Sequence, residues 1–164
     1  PLVYHGNSYS FRIVTLKGDL INPSGAISGA RNPYGTLADE HATKYYGLVR
    51  SMTTDVAKIS KTTGISEKDI QAIKDYIFYE KHDLGNGKLE YFKPDYMMAE
   101  SWRRLMVGQP EKHDYTLISH ELMERRLMAG GMSQDEAHRI TSAKYNYDKE
   151  ATEYYDKIGA FEKE

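Results

Sequence analysis

One stretch of this chain concentrates groups that bind metals or move protons: His113-Asp114, then His120-Glu121-Leu122-Met123-Glu124. On a helix of 3.6 residues per turn, His113, His120 and Glu124 fall within roughly 40° of one another. His120 and Glu124, at i and i+4, share a face and can clamp one divalent metal ion. His113 sits about 10 Å earlier along the axis, too far to join that ion without a long reach, and suits a separate acid or base. His82 and His138 fall on other elements and can complete the site. The metalloprotease signature His-Glu-x-x-His is absent, since Glu124 stands where its second histidine belongs, so a zincin is disfavoured. Without a metal, two histidines, a carboxylate and an arginine can cleave RNA. One imidazole takes the 2′-hydroxyl proton, the other protonates the leaving oxygen, and Arg103 or Arg104 holds the phosphate. The candidate catalytic set is therefore His82, Arg103, His113, His120, Glu124 and His138, with His120 and Glu124 as candidate metal ligands.

Each residue type also has an ordinary structural reading. A His or Glu on a helix surface usually belongs to a solvated face. Glu121 with Arg125, another i,i+4 pair, reads as a surface ion pair. Trp102 sits on an apolar stripe and reads as core. The methionines (97, 98, 106, 123, 128 and 132) read as gap-filling core or interface. Gly85-Asn86-Gly87 reads as a turn, too short for a phosphate loop. His5 and His41 are set apart from the site, in an N-terminal strand arm and the first helix.

Composition sets the frame for these residues. A length of 164 residues favours one domain with a short appendage, long enough to bury a core. A hydrophobic share of 40% and a charged share of 28% read as soluble and globular. A net charge of -2 gives no global electrostatic case for nucleic acid or an anionic membrane, although a local basic patch stays open. With no cysteine there is no disulfide and no thiolate, so any metal site must use His, Asp and Glu. No apolar run approaches the ~18–20 residues of a membrane span, and no signal peptide is visible. The expected setting is cytoplasmic, or delivery into a target cell as part of a larger protein.

The elements that position the histidines follow from pattern. Residues 9–16 are β-branched and aromatic and suit a strand. Lys17-Gly18-Asp19 is a turn, and Leu20-Ile21 can pair back. Residues 22–35 have linker composition and mark the best boundary. Helical texture begins at Thr36, where Thr36 and Asp39 resemble a capping pair. A shorter helix spans Thr54 to Lys61, and Ser66 caps another from Glu67 to Glu80. The segment from Leu84 to Phe92 forms a small hairpin. Pro94-Asp95 opens a helix ended by Gly108, and Pro110 opens the His113–Glu124 helix, closed by Gly130-Gly131. Ser133 through Glu136 is a capping box for a last firm helix to about Tyr145, followed by a frayed helical tail.

Two resemblances are carried by particular runs of residues. Phe11 through Gly29 (Phe-Arg-Ile-Val-Thr-Leu-Lys-Gly-Asp-Leu-Ile-Asn-Pro-Ser-Gly-Ala-Ile-Ser-Gly) resembles the last segment of the hinge domain of SMC chromosome-segregation ATPases. It covers only about the first 30 residues, and the hinge's dimerisation and DNA contacts are not carried over. The second covers roughly 34–164. It rests on His41-Ala42-Thr43-Lys44-Tyr45-Tyr46, Ile70 through Phe78, Lys81-His82-Asp83-Leu84 and Phe92 through Leu105. Further along it rests on His113-Asp114, His120 through Glu124, Ala137-His138 and Tyr145-Asn146-Tyr147. These resemble a helical domain at the C-termini of phage head-morphogenesis (minor capsid) proteins and bacterial polymorphic toxins. That resemblance implies an effector or toxin cassette, with a cognate immunity protein as a partner, and supplies no settled reaction.

The expected architecture is mainly α: a compact multi-helix domain (34–164) with a short N-terminal β arm (1–33) and one small β-hairpin. The leading functional expectation is a toxin-type nuclease acting on nucleic acid through a His/Glu site, with no membrane partner. The alternative is a non-enzymatic phage- or effector-associated module that binds protein through a Tyr- and Met-rich face. SMC-like DNA binding through residues 9–29 ranks last.

Overall fold

The computed structural model describes residues 32–158 in full and the backbone of 2–6, 9–13 and 20–21. The arm is a three-stranded antiparallel sheet, β1 (Leu2–Gly6), β2 (Tyr9–Ile13) and β3 (Leu20–Ile21), in that order, with Leu2 opposite Ile13 and Arg12 opposite Ile21. The expected strand over 9–16 is thus seen to Ile13; its last residues, the turn at 17–19 and the linker over 22–31 lie outside the described residues.

The body is helical: α1 (Thr36–Ser51), α2 (Asp55–Thr63), α3 (Glu67–Lys74), α4 (Tyr96–Val107), α5 (Lys112–Ala129), α6 (Gln134–Lys144) and α7 (Tyr147–Lys157). A hairpin of β4 (His82–Asp83) and β5 (Leu89–Glu90) interrupts them. Most boundaries follow the expected chemistry. Ser66, Asp95 and Ser133 each accept a backbone N–H at a helix start, and Gly64 and Gly108 end helices at φ +73° and +76°. Two ends differ. Gly35, not Thr36, caps α1, with no side-chain bond. The tail expected to fray is a full helix to Lys157, because Tyr147, Ala151 and Tyr155 are buried.

The run from Glu67 does not stay α-helical to Glu80. After Lys74 it widens into a π-helical segment, Asp75–Tyr79, that closes with Glu80 N–H donating to the Asp75 carbonyl at 2.8 Å. Tyr76, Ile77 and Phe78 are all buried there. Three consecutive residues of an α-helix cannot share one face, and the wider turn lets them point to three buried neighbourhoods. Phe78 packs edge-on against Tyr46 and Trp102, with ring centroids 4.7 and 5.2 Å away. Arg50 Nε donates to the Phe78 carbonyl at 2.6 Å.

Helix α5 is the central post and packs on α3, α4, α6 and α7. The main core lies beside it, built on Tyr45, Ile59, Ile70, Ile73, Trp102 and Ile118. Trp102 is fully buried there, as its stripe implies, and its indole N–H donates to Asp55 at 3.0 Å. Met98, Met106 and Met128 pack against this core as gap-fillers.

Candidate functional site

Glu124 is the hub of the His/Glu cluster. It is 2% exposed, and both its oxygens are taken. Tyr76 O–H from the π-helical segment donates to Oε1 at 2.7 Å, and Gln134 Nε2 from the start of α6 reaches the same oxygen at 3.1 Å. His120 Nε2 and His138 Nδ1 each lie 2.9 Å from Oε2. The two rings meet edge to face, with centroids 5.1 Å apart. Helix α5 supplies His120 and Glu124 one turn apart, and the pairing of α5 with α6 brings His138 across.

The rest of His120 is fixed by the backbone, since its Nδ1 lies 2.9 Å from the Tyr145 carbonyl, just past the end of α6. A carbonyl only accepts, so Nδ1 carries a proton. Burial alone would lower this imidazole's pKa, but the bonds to Glu124 and Tyr145 outweigh it and raise it. Burial alone would likewise raise Glu124. The hydrogen bonds from His120, Tyr76, His138 and Gln134 hold it down to about 2. Glu124 is therefore an ionised carboxylate inside the protein.

Beside it a cavity of about 240 Å³ opens, lined by Glu124, His138, Gln134 and Glu121 together with Asp95, Asp148 and Lys93. Glu121 corrects the sequence reading. It is 6% exposed and makes no ion pair with Arg125; it faces the cavity. Burial, then the negative charge of Glu124, pushes its carboxyl up to about 8. The two carboxylates of one helix turn are thus driven apart in proton affinity, a pattern found in acid–base sites.

The structure brings His120, Glu124 and His138 together and takes the other candidates elsewhere. His82 is buried behind the site. Its ring stacks on Phe92 at 4.1 Å and meets the Tyr76 ring at 4.5 Å, and its Nε2 lies 2.8 Å from the Tyr76 carbonyl. It supports the tyrosine that holds Glu124. The neighbouring Asp83 builds the hairpin turn, accepting from Gly85 and Gly87 N–H. Both glycines have positive φ, as the turn reading of Gly85-Asn86-Gly87 requires.

His113 belongs to a second buried network. Arg104 donates to both Asp114 oxygens, at 2.7 and 2.9 Å, and to His113 Nε2 at 2.9 Å. An arginine cannot accept, so His113 Nε2 is the acceptor and the ring is neutral. Burial first, then the Arg104 charge, lowers its pKa, against the pull of Asp114. Asp114 also accepts the Glu111 N–H as part of the capping box that starts α5. Arg103 pairs with Glu100 at 2.8 Å, both buried. Neither arginine faces the Glu124 cavity, so the metal-free arrangement with Arg103 or Arg104 as phosphate clamp is not assembled.

Sequence reading missed Tyr76, Gln134, Glu121 and the Tyr145 carbonyl. Tyr76 sits in an apolar run and reads as core, and Gln134 reads as a helix-start residue. Only the α5–α6 pairing and the π-helical turn reveal that both bond one carboxylate. No helix among the described residues is long and apolar enough to cross a membrane. No family model, curated protein or solved structure matches the chain.

Proposed function

We propose that this chain is an effector-type nuclease domain centred on Glu124 with the imidazoles of His120 and His138. One observation carries the reading: a buried carboxylate takes four side-chain partners from three segments of chain, at the wall of a cavity. Burying a charge is costly unless it is paired and hydrogen-bonded, and an apolar residue would serve packing at lower cost. The arrangement holds two imidazoles on one oxygen, with Glu124 and His138 at the cavity wall. His138, whose side chain is 47% exposed, is the ring a substrate can touch; His120 lies behind it. His138 can exchange a proton with the attacking hydroxyl or water, or with the leaving oxygen, while Glu124 and the buried His120 hold its ring in place. Lys93 is the cavity's lysine and suits a phosphate oxygen. The resemblance of residues 34–164 to toxin and head-morphogenesis domains supports an effector setting with an immunity protein as partner, and the choice of nucleic acid rests on the His/Glu site alone. It also supports delivery within a larger protein.

The test is direct. Purified protein is incubated with RNA, single-stranded DNA and duplex DNA, with EDTA or with added Zn²⁺ or Mn²⁺. Cleavage of one substrate, reduced by at least ~10²-fold in His138→Ala, is expected. Inert wild-type protein under every condition overturns the reading. Exposed Leu84, Leu89 and Tyr91 on and beside the hairpin favour the second reading, a protein-binding module. That reading places the binding surface on the hairpin, since Met98, Met106 and Met128 face the core.

A further inference from the structure

We infer that His120 Nε2, Glu124 Oε2 and His138 Nδ1 form a site for one divalent transition-metal ion, with the cavity supplying its open coordination positions. The inference rests on the nuclease reading for the importance of this centre, while ion binding itself stands on geometry. The three ligand atoms lie within 4.8 Å of one another.

Proton bookkeeping at His120 gives the first argument. Its Nδ1 proton is committed to the Tyr145 carbonyl, so the neutral ring presents a lone pair from Nε2. That lone pair faces Glu124 Oε2 at 2.9 Å, and Oε2 presents its own. Two lone pairs at that distance repel. Either a second proton or a cation must sit between them, and the cation turns both lone pairs into bonds.

The division of labour on Glu124 gives the second. Tyr76 and Gln134 take Oε1 and leave Oε2 to the imidazoles. Ligating carboxylates are commonly anchored in this way, and ligating histidines commonly donate their other N–H to a carbonyl. Both supports are present. The third ligand comes from a different helix, so the three donors converge from two sides.

The donor set selects the ion. Two imidazole nitrogens and one carboxylate suit Zn²⁺, Mn²⁺, Fe²⁺ or Co²⁺ better than Mg²⁺ or Ca²⁺, which prefer oxygen. A tetrahedral ion with bonds near 2.0 Å holds its ligands about 3.3 Å apart, so the contacts on Oε2 must open by a few tenths of an ångström and the two imidazole nitrogens, within 4.8 Å of each other, must draw together around the ion. Glu121 faces the same cavity, within which a metal-bound water or a substrate oxygen fits.

The ion is tested without substrate. The EDTA-stripped, dialysed chain is titrated with Zn²⁺ against a chromophoric chelator, and with Co²⁺ followed by visible absorption. The expected result is one ion per chain, bound at micromolar Kd or tighter, with cobalt bands of a nitrogen–oxygen site. His138→Ala and His138→Gln should each weaken binding by ~10-fold or more, while His41→Ala leaves it unchanged. The glutamine variant keeps a hydrogen bond to Glu124 without an imidazole. Equal binding by wild type and both His138 variants, or wild-type binding only at millimolar ion, overturns the site. Tight binding with no nucleic-acid cleavage keeps the ion and removes the nuclease. Cleavage that persists in EDTA, with no binding, does the reverse.

Discussion

Tyr76 and Glu124 are 48 positions apart in sequence and share a 2.7 Å hydrogen bond inside the protein. The bond joins the π-helical segment to α5 and fixes which Glu124 oxygen is left for the imidazoles. In return, burial and the carboxylate raise the Tyr76 phenol well above its ordinary value. The phenol is a fixed donor throughout the usable pH range.

Tyr76→Phe should therefore loosen the centre while leaving the fold in place. The ring and its contacts with His82 and Phe92 are kept, and one donor to Oε1 is lost. Thermal or denaturant unfolding should show a loss of about 1–3 kcal/mol. The Glu124 carboxyl should titrate higher by carbon-detected NMR, and Zn²⁺ affinity should fall ~10–100-fold, the usual cost of removing a support behind a ligand. Unchanged titration and affinity would show that the tyrosine serves packing alone.

Much of the fold was legible because it rests on local chemistry. Ser66, Asp95, Ser133, Gly64 and Gly108 mark helix ends through bonds that reach only a few residues, so spacing alone reveals them. The i,i+4 relation of His120 and Glu124 was visible for the same reason. The rest depended on which helix faces meet. Helix spacing set His113 apart from the His120–Glu124 pair, but nothing local shows that His138 joins Glu124 or that Arg104 claims His113. Asp114, read as a partner for chemistry, is consumed by a helix cap and a guanidinium. Glu121 was misplaced because an i,i+4 Glu–Arg pair looks the same in sequence whether its face meets water or a cavity.

The buried anchor of α2 gives a stability prediction. Asp55 is fully buried and accepts from Lys74 Nζ at 2.9 Å and from the Trp102 indole at 3.0 Å. Asp55→Ala leaves the buried Lys74 charge without its carboxylate and should cost roughly 3–5 kcal/mol in urea unfolding. The Lys74→Met, Asp55→Leu double substitution should recover much of that loss, because it removes both charges together. A double variant as unstable as Asp55→Ala would point to packing rather than charge as the cause.

His113 should make the protein sensitive to mild acid. An unfolded imidazole takes its proton near pH 6.5, whereas the folded ring, lowered by burial and Arg104, takes it at lower pH. Between those values the unfolded chain binds more protons, so stability falls as pH drops below about 6.5. His113→Gln keeps an acceptor for Arg104 but cannot titrate. The stability difference between wild type and this variant should change steadily from pH 7 to 5, against wild type at the acid end. A difference that stays flat across that range would mean the ring is not held neutral.

Glu121 should act in the opposite direction and at higher pH. Its carboxyl titrates near its ordinary 4.5 in the unfolded chain and is pushed up to about 8 in the fold. Between these values the folded chain holds the extra proton, so stability contributed by the neutral carboxyl is lost as pH rises from about 4.5 to about 8. Glu121→Gln mimics the protonated form at every pH. With EDTA present, so that only protons compete at the centre, the variant should match wild type near pH 5 and become the more stable protein by pH 8. The same substitution removes a group that can exchange protons with a bound water or substrate in the cavity. On the proposed nuclease reading, turnover should fall even though the protein is more stable. Rising stability with unchanged turnover would leave Glu121 as a wall of the cavity and assign the proton traffic to His138.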